Sequence, residues 1–266
     1  MYDFHIHSDF SMDCKYLMEE MVKASIDKNM KSVCFTDHID YEVGKDKIDI
    51  DFRTQDYFRK VKKVKYKHLK DIDVFAGVEI GMQPYLANRY NKLINNNPFD
   101  FVIMSIHAID GTDIYFDNFT YGKSPIDAII EYYKYMYQCL LSFENFDIIG
   151  HIDYIDRYFE NSSMVPDFSE YSFIVEDILK LIIEKGKGIE LNTAGKRYGL
   201  DYYHPKIDIL QLYKNLGGEI ITIGSDAHSP EHIGYDYKLA EKLLKEIGFK
   251  YIYIFKERKK YPIHIS

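Results

Sequence analysis

Two histidines, His5 and His7, stand two residues apart at the end of a short apolar run, Asp3-Phe4-His5-Ile6-His7-Ser8-Asp9. Side chains alternate faces along a strand, so both imidazoles point the same way and can grip one metal ion. A lone pair of this kind is common on surface strands, and its weight comes from the rest of the chain. Asp37-His38, Glu79, His107, His151, Glu190-Leu191-Asn192 and Asp226-Ala227-His228 each stand at the end of another β-rich apolar run. Six of the ten histidines lie at such strand ends, the others being His68, His204, His232 and His264. Singly, each has an ordinary explanation: a capping Asp, or a core His bonded to a carbonyl. Together they do not, because burying so many imidazoles without a metal leaves many polar groups in need of partners.

The donor types are imidazole and carboxylate with no thiolate, a set that suits Zn, Mn or Fe. The candidates are His5, His7, Asp13, His38, Glu79, His107, His151, Asp226 and His228. They are too many for one ion, and with Glu79 bridging they fill a cluster of two to three divalent metal ions. Three such ions outweigh three carboxylates, and the resulting positive centre attracts a phosphate dianion and lowers the pKa of a bridging water. The chemistry expected is metal-assisted hydrolysis of a small-molecule phosphate ester. Other nucleophile arrangements are missing: no Gly-x-Ser-x-Gly elbow, no phosphate-binding Gly-x-x-x-x-Gly-Lys-Ser/Thr loop and no Gly-x-Gly-x-x-Gly occurs.

Short β-rich runs alternate with longer stretches of helical period, the pattern of βα units around a parallel sheet. Strands are predicted at 2–7, 32–36, 74–80, 101–107, 147–150, 188–191 and 219–224, with helices near 15–28, 125–141 and 175–185. Asp37-His38 is read as part of a loop, 153–170 as a lid or substrate wall, and 251–255 as an edge strand or a segment packed outside the barrel. Barrel enzymes place their chemistry at the C-terminal ends of the strands, where the loops converge on one mouth. That is where the polar residues fall.

The 266 residues, 46% of them hydrophobic, suit one domain over 1–266, with no linker, repeat or low-complexity tract to divide it. A net charge of −8 argues against a nucleic-acid binder. The seven Lys and Arg between Arg59 and Lys70 overlie Tyr57, Val61, Val64 and His68 at helical spacing, as a solvated helix face would. Three widely spaced cysteines give no disulfide framework. The chain enters a strand directly, no run is long enough for a membrane span, and no signal peptide is expected. A cytoplasmic setting is the expectation; oligomeric state is not legible.

His-Ile-His-Ser at 5–8, Thr-Asp-His at 36–38, Gly-Val-Glu at 77–79, Ser-Ile-His at 105–107, Gly-His at 150–151 and Gly-Ser-Asp-Ala-His at 224–228 resemble, in order, the motifs of the polymerase-and-histidinol-phosphatase (PHP) family of metal-dependent phosphoesterases. The resemblance implies an α/β fold, a distorted (β/α)7 TIM-like barrel, around a trinuclear cluster. It assigns His5, His7, Glu79 and Asp226 to one metal, Glu79, His107 and His151 to a second, and His38, His228 and Asp13 to a third. Some family members have a histidine in place of Asp13, which could alternatively be only a helix N-cap. The segment Glu190-Leu-Asn-Thr-Ala-Gly-Lys-Arg197 is similar to the stand-alone histidinol-phosphatase branch. There Arg197 would bind substrate phosphate, with Lys196 and His232 as further substrate contacts; the alternative for Arg197 is a solvated loop residue. Asp226 or His228 is the candidate proton donor to the leaving alkoxide. The activity implied is hydrolysis of L-histidinol phosphate in histidine biosynthesis. The alternatives are a PHP phosphoesterase acting on nucleotides and a metal-holding module without turnover.

Overall fold

The computed structural model describes residues 1–265. Seven parallel strands succeed one another in chain order: β1 Tyr2–Ile6, β2 Ser32–Phe35, β3 Asp73–Gly81, β4 Phe101–Ser105, β5 Ile148–Ile149, β6 Gly188–Asn192 and β7 Ile221–Gly224. The returning helices are α1 Met18–Asp27, α2 Thr54–Lys67, α3 Ala87–Asn95, α4 Pro125–Ser142, α5 Ser172–Glu184, α6 Ile207–Asn215 and α7 Tyr237–Ile247. The ring closes just beyond the ends of β7 and β1. There the Asp226 N–H donates to the His5 carbonyl (2.7 Å) and the His7 N–H to the Ala227 carbonyl (3.0 Å). Closure thus occurs at the level of the residues singled out for chemistry. This is the barrel expected from the sequence.

Alternation along each strand sorts its residues between lumen and helices. Val74, Ala76, Val78 and Ile80 of β3 join the large core beneath the helices. The other face of the strands builds a small plug low in the lumen from Phe4, Cys34, Phe75, Phe101, Ile103 and Ile148, joined by Phe255 from the C-terminal segment. Above the plug the inward positions become polar, with Glu79, Ser105 and Glu190 all buried. Room for them comes from glycine. A Cβ at Gly224 would overlap the Glu190 carboxylate and the His5 Cβ, and one at Gly150 would lie 2.6 Å from Ser105 Oγ.

α2 buries Tyr57, Val61 and Val64 and leaves Arg59, Lys62, Lys63 and Lys67 in solvent, so the basic run is a solvated helix face. No helix among the described residues is long and apolar enough to cross a membrane.

Two local expectations change, and between the two alternatives for the tail the structure has the segment outside the barrel. His38 begins a strand, His38–Val43, rather than lying in a loop, and pairs in parallel with β3 in the register His38↔Glu79. The alternating Ile39, Tyr41 and Val43 are buried, a period the intervening polar residues obscured. The first helix starts at Met18 rather than near Lys15. The 251–255 tail is one arm of an antiparallel hairpin, β8 Tyr251–Lys256 and β9 Lys259–His264, separate from the barrel sheet. Its Phe255 stacks on Phe101 at 4.9 Å and completes the plug.

Candidate metal centre and substrate cavity

Glu79 is the hub. It is fully buried on β3, and each carboxylate oxygen faces imidazole nitrogens from different strands. Oε1 lies 2.9 Å from His151 Nε2 and 3.3 Å from His107 Nε2; Oε2 lies 3.0 Å from His5 Nε2, 3.2 Å from His38 Nδ1 and 3.6 Å from His7 Nε2. Asp226 Oδ1 approaches His7 Nε2 (3.4 Å), His228 Nδ1 (3.5 Å) and His5 Nε2 (3.8 Å). Ligand-type atoms within 4.8 Å of one another form four overlapping sets: His5–His7–Glu79, His5–His151–Asp226, His38–Glu79–His107 and His7–His38–His228. Eight of the nine residues proposed from the sequence fall in these sets.

The protons show that the gaps between these atoms suit cations. His5 Nδ1 donates to Glu190 Oε1 (2.7 Å), His107 Nδ1 to Asp40 Oδ2 (2.9 Å) and His228 Nδ1 to the Asp226 carbonyl (3.1 Å). Ser11 Oγ donates to Asp37 Oδ1 (2.7 Å), so the Ser11–His7 Nδ1 contact at 3.0 Å is donated by the histidine. In their neutral forms all four rings therefore turn an Nε2 lone pair toward the centre, the arrangement metal-ligating histidines owe to outer hydrogen-bond partners. At His5 and His107 that lone pair faces a carboxylate oxygen, and the buried His7 Nε2 and His228 Nε2 have no hydrogen-bond partner among the described residues. Two acceptors facing each other at such distances need a proton or a metal ion between them. Ligands bound to Zn at about 2.0–2.1 Å stand roughly 2.9–3.4 Å apart, the spacing of the shortest pairs here.

The electrostatics agree. Burial would push the Glu79 carboxyl up, but His5, His38 and His107 hold it well below its ordinary range. Burial would lower His5, yet Glu190, Glu79 and Asp226 raise it well above its usual value, while burial together with His228 and His38 drives His7 well below. Adjacent imidazoles with opposite demands for protons are a centre asking for positive charge that protons supply poorly.

A cavity of about 430 Å3 opens over the cluster, lined by Asp13, His38, His107, His151, Asp226 and His228 and walled by Tyr115, Tyr154, Arg157, Tyr158 and Tyr198. Arg157 belongs to the segment anticipated as a lid or substrate wall, in the 3-10 turn Tyr154–Tyr158. Its side chain is only 5% exposed, with Nη2 3.4 Å from Asp226 Oδ2. The sequence reading missed it; a lone Arg in a tyrosine-rich loop carries no spacing signal.

Arg197 takes a different position from the one expected. Its Nη2 donates to the carbonyls of Ser225 and Asp226 and its Nη1 lies 3.0 Å from His232 Nδ1, so it clamps the turn in which Asp226 sits at φ +53°. Neither Arg197 nor His232 lines the cavity. Lys196 is exposed, with Nζ 4.4 Å from the Tyr203 ring centre, because consecutive residues of the 3-10 turn Thr193–Tyr198 face different ways.

Residues 3–194 match the PHP domain family. The chain belongs to the PHP family. Among its relatives are a probable histidinol-phosphatase of Clostridium acetobutylicum, 36% identical over 98% of this chain and 99% of that one, and a histidinol-phosphatase of Lactococcus lactis, 30% identical over 93% and 91%. A crystal structure of histidinol phosphate phosphatase from Lactococcus lactis, in complex with Zn, L-histidinol and phosphate, is similar to it with a TM-score of 0.89, at 29% identity and covering 98% of both chains.

Within this PHP barrel Asp13 is the ninth sequence-proposed ligand. Its Oδ2 lies 3.1 Å from His228 Nε2 and 3.7 Å from His38 Nε2. Loss of solvation would raise its carboxyl, but the neighbouring His228 and His38 hold it well below the ordinary range. It is not the cap of α1: the Met18 N–H is taken by Asp9 Oδ1 (3.0 Å) and the Leu17 N–H by Glu20 Oε2 (2.8 Å). Asp13→Ala is therefore expected to lower metal content by about one ion per chain and cut turnover severely. A melting loss of roughly 0.5–2 kcal/mol with unchanged metal stoichiometry, the signature of a lost cap, would reverse the assignment.

Proposed function

We propose that this PHP chain is a histidinol-phosphatase, hydrolysing L-histidinol phosphate to L-histidinol and phosphate in histidine biosynthesis. The observation that carries the reading is the end-to-end similarity to the Lactococcus lactis enzyme, whose structure holds Zn, L-histidinol and phosphate. His5, His7, Glu79 and Asp226 hold one divalent ion, Glu79, His107 and His151 a second, and His38, His228 and Asp13 a third; Zn, Mn and Fe all suit this donor set. Such ions supply Lewis-acid polarisation of the phosphoryl group and lower the pKa of the attacking water. Arg157 holds the phosphate from beside Asp226, its planar guanidinium matched to two phosphoryl oxygens. The proton for the leaving alkoxide comes from Asp226 or His228, both on the cavity wall beside Arg157.

The rest of the substrate finds its complement next door. An adjoining cavity of about 190 Å3 combines the carboxylates of Asp13, Asp40 and Asp113 with the aromatic faces of Tyr115, Phe116 and Tyr154. An ammonium and an imidazole fit such a wall, whereas a nucleotide brings further negative charge to it. A cytoplasmic setting goes with this reading, one in which the three free cysteines stay reduced.

The test is a comparison of phosphate esters on metal-loaded protein. L-histidinol phosphate is expected to exceed nucleoside monophosphates in kcat/KM by about a hundredfold, as two lost charged contacts of about 1.5 kcal/mol each imply. Equal turnover of both would replace this reading with a nucleotide phosphoesterase. Arg157→Ala is expected to lower kcat/KM by about tenfold to a hundredfold with metal content unchanged. No change would remove Arg157 from the phosphate site.

A further inference from the structure

His204 is a histidine that the metal centre does not use. Its side chain is completely buried, and both ring nitrogens are committed. Nδ1 donates to Asp153 Oδ1 at 2.6 Å, and Nε2 accepts the Nε–H of Arg157 at 2.8 Å. An imidazole that receives an arginine N–H on one nitrogen must be neutral and must carry its proton on the other. Asp153 selects that tautomer, and its second oxygen is occupied by the Lys206 N–H at 2.8 Å. The His204 backbone is fixed as well: its N–H donates to the Asn192 carbonyl (2.9 Å) and its carbonyl accepts the Asn192 N–H (2.6 Å), at the end of β6. Asn192 is itself tied to Glu190 Oε2 at 3.1 Å, the carboxylate whose other oxygen orients His5.

We infer that His204, held by Asp153, is a positioning residue that aims the Arg157 guanidinium into the cavity and so sets the affinity for the phosphate group. The inference rests on the reading of Arg157 as a phosphate contact. A free arginine spreads over many rotamers and forfeits that freedom on gripping an anion. Here the Nε–H is spent on His204, one Nη lies toward Asp226, and the guanidinium is packed 4.4 Å from the Tyr198 ring centre and 5.0 Å from that of Tyr154. Much of the ordering precedes ligand binding. A purely apolar side chain at 204 would strand the buried Nε–H and release the guanidinium from its fixed direction. Because the metal ligands take none of their contacts from His204, the effect falls on phosphate and leaves the ions in place.

The experiment uses metal-loaded full-length protein carrying His204→Leu or His204→Gln, with calorimetric titration of inorganic phosphate and of L-histidinol, and p-nitrophenyl phosphate as reporter ester. His204→Leu is expected to weaken phosphate binding and raise the reporter KM by about tenfold, the loss of one charge-assisted contact. L-histidinol affinity and metal content should stay unchanged. His204→Gln, which keeps an acceptor for Arg157, should recover most of the loss. Arg157→Ala combined with His204→Leu should bind phosphate no more weakly than Arg157→Ala alone. Unchanged phosphate affinity in His204→Leu, while Arg157→Ala weakens it, overturns the inference; unchanged affinity in Arg157→Ala overturns the reading of Arg157 instead. Parallel losses of phosphate, L-histidinol and metal would mark His204 as merely structural and also overturn the inference. If His204→Leu does not fold, Asp153→Asn carries the test. It leaves one acceptor oxygen for two N–H donors, so a phosphate affinity equal to that of the unsubstituted protein would refute the positioning role.

Discussion

Stripping the protein with a strong chelator is expected to abolish phosphatase activity, and adding Zn or Mn to restore it. The reason lies in the protons as much as in the ligands. Glu79 and Asp226 are buried carboxylates, and four of the imidazoles around them have given their N–H groups outward, to Glu190, Ser11, Asp40 and the Asp226 carbonyl. Without a metal ion the centre has mainly imidazole protons to set against its negative charge, and burial and neighbouring histidines oppose them at His7. Desolvating an ion without a partner costs several kcal/mol even after relaxation, so metal-free protein should also melt lower. Saturation at about a thousand times Kd contributes roughly 4.1 kcal/mol to the folded state. Elemental analysis, melting curves and steady-state rates on one preparation check the three expectations together. Full turnover in protein shown to be metal-free would end the metal assignment.

The inner centre was legible in the sequence because the barrel converts strand-end position into convergence. His5, His107, His151 and Asp226 are far apart in the chain, yet each comes at the end of a β-rich run, and parallel strands in a ring bring such ends to one mouth. The groups that orient these ligands were not legible to the same degree. Glu190 stands at a strand end, but nothing in its spacing says that one oxygen holds His5 and the other the His151 N–H. Asp40 was hidden because its strand, His38–Val43, was read as a loop; only pairing with β3 brings its carboxylate to His107. The substrate side was least legible. Arg197 sits in the segment that resembles the histidinol-phosphatase branch but clamps the carbonyls behind Asp226, whereas Arg157 lines the cavity from a loop with no periodicity. Loop side chains are placed by tertiary contacts such as Arg157–His204, which local pattern does not encode.

Glu79→Gln should give the second large effect, and it separates a bridging ligand from a structural partner. The substitution keeps the volume and the possibility of accepting from Ser105 Oγ, which lies 2.6 Å from Oε1. It removes the charge and turns an amide N–H toward imidazole lone pairs that would otherwise bind metal. Removing one member of a buried charged pair costs about 3–5 kcal/mol, which corresponds to two to four orders of magnitude in metal affinity or in kcat/KM. Since Glu79 approaches His107 and His151 through one oxygen and His5, His38 and His7 through the other, more than one ion should be lost. The metal-free variant should nevertheless melt at least as high as the metal-free parent, because a buried charge has gone and the amide can hydrogen-bond the same rings. A structural partner of protonated histidines behaves in the opposite way: the metal-free fold weakens and metal content stays. Metal analysis of Glu79→Gln, set beside melting curves of both metal-free proteins, decides between the two, and retained stoichiometry with a lowered melting point would remove Glu79 from the centre of the cluster.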